Sequence, residues 1–129
     1  MLKKEKAGKA AAKRRSAGTA QFLQKPTCTT CRKARAYMED RGFVLHLRNL
    51  DKERLSSDEL EHLIGDRDHS EFLNTRNEMY RRKNMKQNPP TRAEAIRMMV
   101  GEPNLIRRPV IVAGGRVVLG FGQEKIDRL

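Results

Sequence analysis

The chain has 129 residues, of which 37% are hydrophobic and 34% charged, a balance typical of one soluble globular domain. No stretch approaches the ~20 consecutive apolar residues of a membrane-spanning helix, so the sequence predicts no membrane contact. Half of the net charge of +12 lies in residues 1–18, where seven Lys or Arg face one Glu. We therefore expect a disordered basic tail over 1–18, able to contact nucleic acid weakly, and one folded domain over 19–129.

The first half of the folded region alternates between strand and helix patterns. "AQFLQ" (20–24) is typical of a short strand, and a helical pattern runs from Thr29 or Thr30 to Asp40, with Gly42 as its stop. "FVLHLRNL" (43–50) alternates apolar and polar residues as a strand does. The next segment, "LSSDELEHLIG", predicts a helix capped by Ser56 or Ser57 and ended by Gly65.

The second half predicts helices followed by a hairpin. Residues 70–100 are expected to be mostly helical, with a capping box formed by Thr91 and Glu94. Two β-rich runs, 109–113 and 116–120, surround Gly114-Gly115, and "GQEKIDRL" closes the chain as a short helix. The order predicts an α/β fold, a thioredoxin-like mixed sheet flanked by helices, with a helical insertion between the second and third strands.

The only two cysteines, Cys28 and Cys31, lie three residues apart where the first predicted strand gives way to a helix. A cysteine at a helix N-cap faces unpaired N–H groups and the positive end of the helix dipole, which lower a thiol pKa from ~8.5 to roughly 3.5–7.5. Lys25, Arg32 and Lys33 add positive potential nearby. The pattern favours Cys28 as a nucleophile and Cys31 as the thiol that resolves its adduct into a disulfide.

The cysteines have two less favoured interpretations: a zinc half-site and a pair of ordinary cysteines. Zinc requires four ligands, whereas the chain has no second CxxC. The three histidines, His46, His62 and His69, do not have the usual ligand spacing. We therefore predict no metal site. A CxxC pair in a basic chain without an export signal favours a redox role in the reducing cytoplasm.

Four segments in this order resemble the ArsC/Spx family of arsenate reductases, Spx regulators and their relatives: "KPTCTTCRKA", "FLNTR", "RRPVIV" and "VLGFGQEKI". The resemblance covers about residues 20–127. It implies that Cys28 is the catalytic cysteine, that Arg76 and Arg108 surround it, and that Pro109 is a cis-proline beside the thiol.

The resemblance and the residue chemistry together define a candidate site. We expect Cys28, Cys31, Arg76 and Arg108 to be catalytic, because a thiolate that attacks an oxyanion or a mixed disulfide needs permanently charged donors. Arg107 can substitute for either arginine, and the remaining binding residues are expected to be Pro109, Thr29 and Thr30.

The function implied is that of a cytoplasmic thiol-disulfide oxidoreductase of the arsenate reductase-like class. It needs no bound cofactor, but it needs an external thiol reductant such as glutathione with glutaredoxin, or thioredoxin. An oxyanion such as arsenate is a candidate substrate. However, "LGFGQEKI" has no arginine where the arsenate reductases carry one. The alternative is a redox-switched regulator of the Spx type that binds RNA polymerase.

Overall fold

The structure is a computed structural model that describes residues 18–129, so the predicted basic tail lies outside it apart from Gly18. The strands and helices are β1 (Gly18–Gln24), α1 (Thr29–Asp40), β2 (Phe43–Asn49), α2 (Ser57–Ile64), α3 (Glu78–Arg82), α4 (Arg92–Gly101), β3 (Val110–Ala113), β4 (Arg116–Leu119) and α5 (Gln123–Asp127). Short 3₁₀ helices span His69–Phe72 and Pro103–Leu105. None of the helices described is long and apolar enough to cross a membrane.

The described residues group into two compact units. Residues 18–48 and 109–129 form the first, which we call the sheet unit, and residues 49–108 form the second, the helical unit. The helices α2, α3 and α4 and both 3₁₀ helices belong to the helical unit, so all of them come between β2 and β3 in the chain.

The sheet has four strands in the order β2-β1-β3-β4. Strand β1 pairs antiparallel with β3, with Phe22 opposite Ile111, and β3 pairs antiparallel with β4, with Ile111 opposite Val118. Gly114 and Gly115 connect β3 to β4 with φ of 57° and 79°. This left-handed pair is the geometry of a two-residue hairpin turn and favours glycine at both positions. The predicted hairpin and the mixed sheet flanked by helices are confirmed.

The core of the sheet unit lies between the sheet and two helices. Helix α1 buries Cys31, Ala34 and Met38, which recur every three to four residues along one face. They pack with Ile126 of α5 and with residues from all four strands: Ala20, Phe22, Phe43, Ile111 and Val118. Cys31 is therefore a core residue, because its side chain belongs to the apolar face that fixes α1 on the sheet.

A polar cluster near the surface joins the end of α1 to α5. The Tyr37 hydroxyl donates a hydrogen bond to Asp127 Oδ1 at 2.7 Å and accepts one from Arg41. The Arg41 guanidinium also lies 4.7 Å from the centre of the Tyr37 ring and 3.4 Å from Asp127 Oδ1. The pKa of Tyr37 is raised, chiefly by the hydrogen bond to Asp127 and next by burial, while Arg41 acts in the opposite direction.

The helical unit is built on two capped helices. Ser56 forms a capping box with Glu59 at the start of α2, and Thr91 forms one with Glu94 at the start of α4, as predicted for the second pair. The pKa of Glu94 is lowered because its carboxylate accepts hydrogen bonds from the backbone N–H and then the hydroxyl of Thr91. The buried side chains of the two helices are Leu60, Ile64, Ala95, Ile96 and Met99.

Residues 70–100 contain less helix than the sequence predicts. A short bridge pairs Leu73 with Ile106, and the backbone at Leu73 is extended. Helix α3 begins only after Asn77, whose side chain caps it by accepting from Met79 N–H at 2.8 Å. Asn84 then has a φ of 52°, a left-handed conformation that ends the helical path. Tertiary pairing and local caps therefore override the helical propensity of this stretch.

Replacing a core side chain of α1 should destabilise the protein strongly. Met38 is completely buried, so Met38→Ala should lower the free energy of unfolding by about 2–5 kcal/mol, through lost burial and the cavity left behind. Leu47→Ala is the control, because Leu47 is 42% exposed and should change that free energy by only about 0.5 kcal/mol. Urea denaturation measures both, and equal losses would contradict the packing of α1 on the sheet.

Removing the carboxylate at position 127 should lower the Tyr37 pKa, because its main upward influence disappears. The phenolate absorbance of Asp127→Ala, followed against pH in a Tyr80→Phe background, measures this change. Since the folded-state pKa is raised, the interaction contributes stability below the unfolded pKa of about 10, and this contribution is lost as pH rises through the folded value. A pKa that stays the same or rises in Asp127→Ala would contradict the assignment.

Candidate active site

The turn between β1 and α1 places Cys28 at the start of the helix. Strand β1 ends at Gln24, and the Cys28 N–H donates to the Lys25 carbonyl at 2.9 Å, which closes the turn. Cys28 is the N-cap of α1, with extended backbone angles, and its carbonyl accepts from the Arg32 N–H at 3.1 Å. The predicted position of Cys28 at the helix start is confirmed.

The two thiols differ in their access to solvent. Both cysteines are thiols; Cys28 is half-buried, whereas Cys31 is completely buried in the sheet-unit core. Residues three apart on a helix are neighbours, with about 5–6 Å between their Cβ atoms, so Cys31 follows Cys28 on the same side of the first turn. One thiol can therefore meet an external reagent while the other is shielded from it.

The helix start is electrostatically suited to a thiolate. The first turn of α1 has no acidic residue. The Arg32 guanidinium lies across it and donates to the Pro26 carbonyl and to Thr29 Oγ1, each at 3.4 Å. The positive end of the helix dipole favours a negative charge at the N-cap position, and no carboxylate in the first turn opposes it.

The other candidate residues of the sheet unit are Thr29, Thr30 and Pro109. Thr29 is exposed and holds Arg32, and Thr30 is half-buried in the first turn of α1. Pro109 is buried directly before β3, and its carbonyl accepts from the Gly120 N–H at 2.9 Å. The cis peptide bond and the binding roles of these residues stay predictions.

The three candidate arginines, Arg76, Arg107 and Arg108, all lie in the helical unit. Backbone hydrogen bonds in this unit join the two segments that carry them. Asn74 N–H donates to the Leu105 carbonyl at 2.7 Å, and Arg107 N–H donates to the Phe72 carbonyl at 2.8 Å. The "FLNTR" and "RRP" segments therefore run side by side, although they are far apart in the sequence. Arg76 and Arg107 are exposed, while Arg108 is half-buried. The catalytic and binding roles of these arginines stay predictions.

Sequence reasoning missed two asparagines that contact these arginines. Asn104 Oδ1 accepts from Arg108 Nη1 at 3.1 Å, and Asn74 Oδ1 accepts from the Arg76 N–H at 3.1 Å. Asn74 belongs to the "FLNTR" motif, so its position next to a candidate arginine was a usable signal. Asn104 lies between a proline and a leucine in no recognisable pattern, and only the folded chain reveals it.

The zinc interpretation receives no support from the described part of the chain. Within residues 18–129, no three side chains among His, Cys, Asp and Glu are grouped so that they could hold a metal ion. His69 Nε2 donates a hydrogen bond to the Pro90 carbonyl, 2.9 Å away, in a contact within the helical unit.

Comparison with known proteins gives one consistent result. The model of the ArsC family matches residues 23–129. The chain is 30% identical over 105 residues to the global transcriptional regulator Spx of Bacillus subtilis, which covers 80% of this chain and 80% of that regulator. The family resemblance seen in the sequence is confirmed.

Solved structures agree with the family assignment. An ArsC family related protein from Bacteroides fragilis superposes with a TM-score of 0.77 at 25% identity, over 85% of this chain and 97% of that one. An arsenate reductase from Vibrio cholerae superposes with a TM-score of 0.75 at 21% identity, over 85% and 96% of the two chains. At this level of identity the second likeness concerns the fold alone.

The two cysteines should react very differently with alkylating agents. At about pH 6–7, Cys28→Ser should lose most of the reaction with iodoacetamide, because the remaining thiol is buried, whereas Cys31→Ser should keep it. Mass spectrometry of the native proteins measures the modified fraction, and denatured samples serve as the control in which both thiols react. Equal reactivity of the two native thiols would contradict the assignment of Cys28 as the nucleophile.

Proposed function

Because the chain belongs to the ArsC family, we propose that it is a thiol-disulfide oxidoreductase of the arsenate reductase-like class, with Cys28 as nucleophile and Cys31 as resolving thiol. One observation carries this proposal: a half-buried cysteine caps a cationic helix start, and a second, fully buried cysteine lies one turn further along. A cysteine without a redox role gains nothing from a helix terminus or from a shielded second thiol nearby.

The chemistry proceeds in two exchanges. The Cys28 thiolate attacks one sulfur of a substrate disulfide, the disulfide bond breaks, and the other substrate sulfur leaves as a thiolate that takes up a proton. Cys31 then loses its proton and attacks the Cys28 sulfur, which releases the rest of the substrate as a second thiol. The two protein thiols have supplied two electrons and become a disulfide, which an external dithiol or two molecules of glutathione reduce again.

The burial of Cys31 restricts this thiol to the second exchange, the attack on the Cys28 adduct. A shielded thiol cannot attack disulfides in bulk solvent, so it reacts only when Cys28 carries an adduct at the start of the same helix. A disulfide needs Cα atoms ~4.4–6.8 Å apart, which the first turn of a helix provides without rearrangement. The resolving role is therefore proposed for Cys31 alone.

Further parts of the proposal come from the family resemblance. It assigns Arg76 and Arg108 to the negative charge of an oxyanion substrate such as arsenate or of a reacting thiolate, since both side chains stay charged at any physiological pH. It also implies a reducing, cytoplasmic setting in which glutathione with glutaredoxin, or thioredoxin, regenerates the thiols. No resident cofactor is needed for these steps.

Reductase activity should depend on both cysteines in distinguishable ways. With a thiol reductant and a small disulfide substrate, the native protein should turn over, and Cys28→Ser should be inactive because the remaining thiol, Cys31, is buried. Cys31→Ser should accumulate the substrate as a mixed disulfide on Cys28, visible as a mass increase. The same assay with arsenate tests that substrate, and turnover by the Cys28→Ser variant would refute the mechanism.

A second candidate, a redox-switched regulator, is favoured by the 30% identity to the Bacillus subtilis regulator over 80% of both chains. In this role, closing the Cys28–Cys31 disulfide would change the affinity for a protein partner, and the resemblance names RNA polymerase. Affinity should then differ several-fold between the oxidised and reduced protein, and Cys31→Ser should remove the difference. Catalytic turnover without any redox-dependent binding would leave the reductase as the function.

A further inference from the structure

The Arg108 guanidinium has a neutral partner. Its Nη1 donates to the amide oxygen of Asn104 at 3.1 Å, and its Nε is buried with no acceptor among the described residues. Arg108 is half-buried, and within residues 18–129 no carboxylate lies at ion-pair distance from it. A buried donor of a charged group without an acceptor is uncommon, because leaving it unsatisfied has an energetic cost.

Arg92, in the same unit, shows the opposite arrangement. Its Nη2 lies 2.8 Å from Glu61 Oε1, its Nε donates to the same oxygen at 2.9 Å, and its Nη1 donates to the Gly65 carbonyl at 2.8 Å. The carboxylate neutralises this guanidinium, and the three contacts join α4 to α2. Arg92 is therefore a structural arginine, whereas the charge of Arg108 is held in place but not neutralised.

A second asparagine braces the first. Asn74 Nδ2 donates to the backbone carbonyl of Asn104 at 3.1 Å, while its Oδ1 accepts the Arg76 N–H. The Asn104 N–H in turn donates to Glu102 Oε2 at 3.1 Å, which caps the short 3₁₀ helix. The Asn74 side chain thus links the backbone of Asn104, which orients Arg108, to the backbone of Arg76.

We propose that Asn104, braced by Asn74, is a positioning residue that aims the Arg108 guanidinium through a neutral acceptor and so keeps its positive charge available for an anionic substrate. This inference rests on the proposed function only for the identity of the anion as substrate. An aspartate at position 104 could hold the guanidinium equally well, but it would cancel the charge. The neutral amide satisfies both requirements, orientation and charge.

The test uses the full chain and reads the Arg108 Nε–H signal by nuclear magnetic resonance, identified by its loss in Arg108→Lys. In Asn104→Ala, exchange of this buried hydrogen with water should accelerate about tenfold, since the Nη1 hydrogen bond that holds the whole guanidinium in place is lost. The change in the Nε–H chemical shift on addition of sulfate should become smaller. In Asn104→Asp, exchange should stay slow because an acceptor remains, but the sulfate shift should fall at least as far as in Asn104→Ala.

Asn88→Ala is the matched control, because Asn88 is exposed and should leave both readouts unchanged. Repeating the measurements in a Cys28→Ser background separates the two proposals: the Arg108 signal reports on positioning whether or not the thiol chemistry is correct. Unchanged exchange in Asn104→Ala, fast exchange in Asn104→Asp, or native sulfate binding in Asn104→Asp would each overturn the inference. So would the absence of any sulfate-dependent shift of Arg108 in the native chain.

Discussion

The burial of Cys31 in the core of the sheet unit holds the start of α1, and with it Cys28, in place. Because this side chain packs with Phe22, Ile111 and Val118, the first turn of α1 cannot rotate or slide without opening the core. Cys28, three residues earlier, is thereby held at the helix terminus with its side chain half-buried. Cys31 belongs both to the apolar face of α1 and to the proposed redox pair, so one packing arrangement would serve stability and reactivity.

The two proposed roles, catalysis and signalling, would both use one disulfide between Cys28 and Cys31. What separates the two roles is whether the oxidised form is a passing intermediate or a long-lived state. That balance depends on the relative stability of the thiol and disulfide forms, to which the helix dipole contributes by favouring a thiolate at the N-cap position of Cys28. The chain belongs to the ArsC family, and the Bacillus subtilis protein to which it is 30% identical is a transcriptional regulator.

Local signals in the sequence were sufficient for much of the sheet unit. The N-cap position of Cys28, the stop at Gly42 and the turn at Gly114-Gly115 each depend on a few neighbouring residues, and all are present in the structure. The irregular path from Leu73 to Asn84 was not predicted, because it depends on pairing with residues near Ile106. Asn104 was missed for the same reason: an asparagine acquires a role only when folding brings a guanidinium to it.

The strand order has a consequence for synthesis on the ribosome. The core around Cys31 needs Ile111 of β3, Val118 of β4 and Ile126 of α5, all from the end of the chain. At a synthesis rate of about 5–20 residues per second, β1 and α1 emerge seconds before these partners exist. The helical unit, one continuous segment, emerges in that interval. The Cys31 thiol, inaccessible in the finished protein, therefore cannot reach its final packing until the last strands and helix have been synthesised.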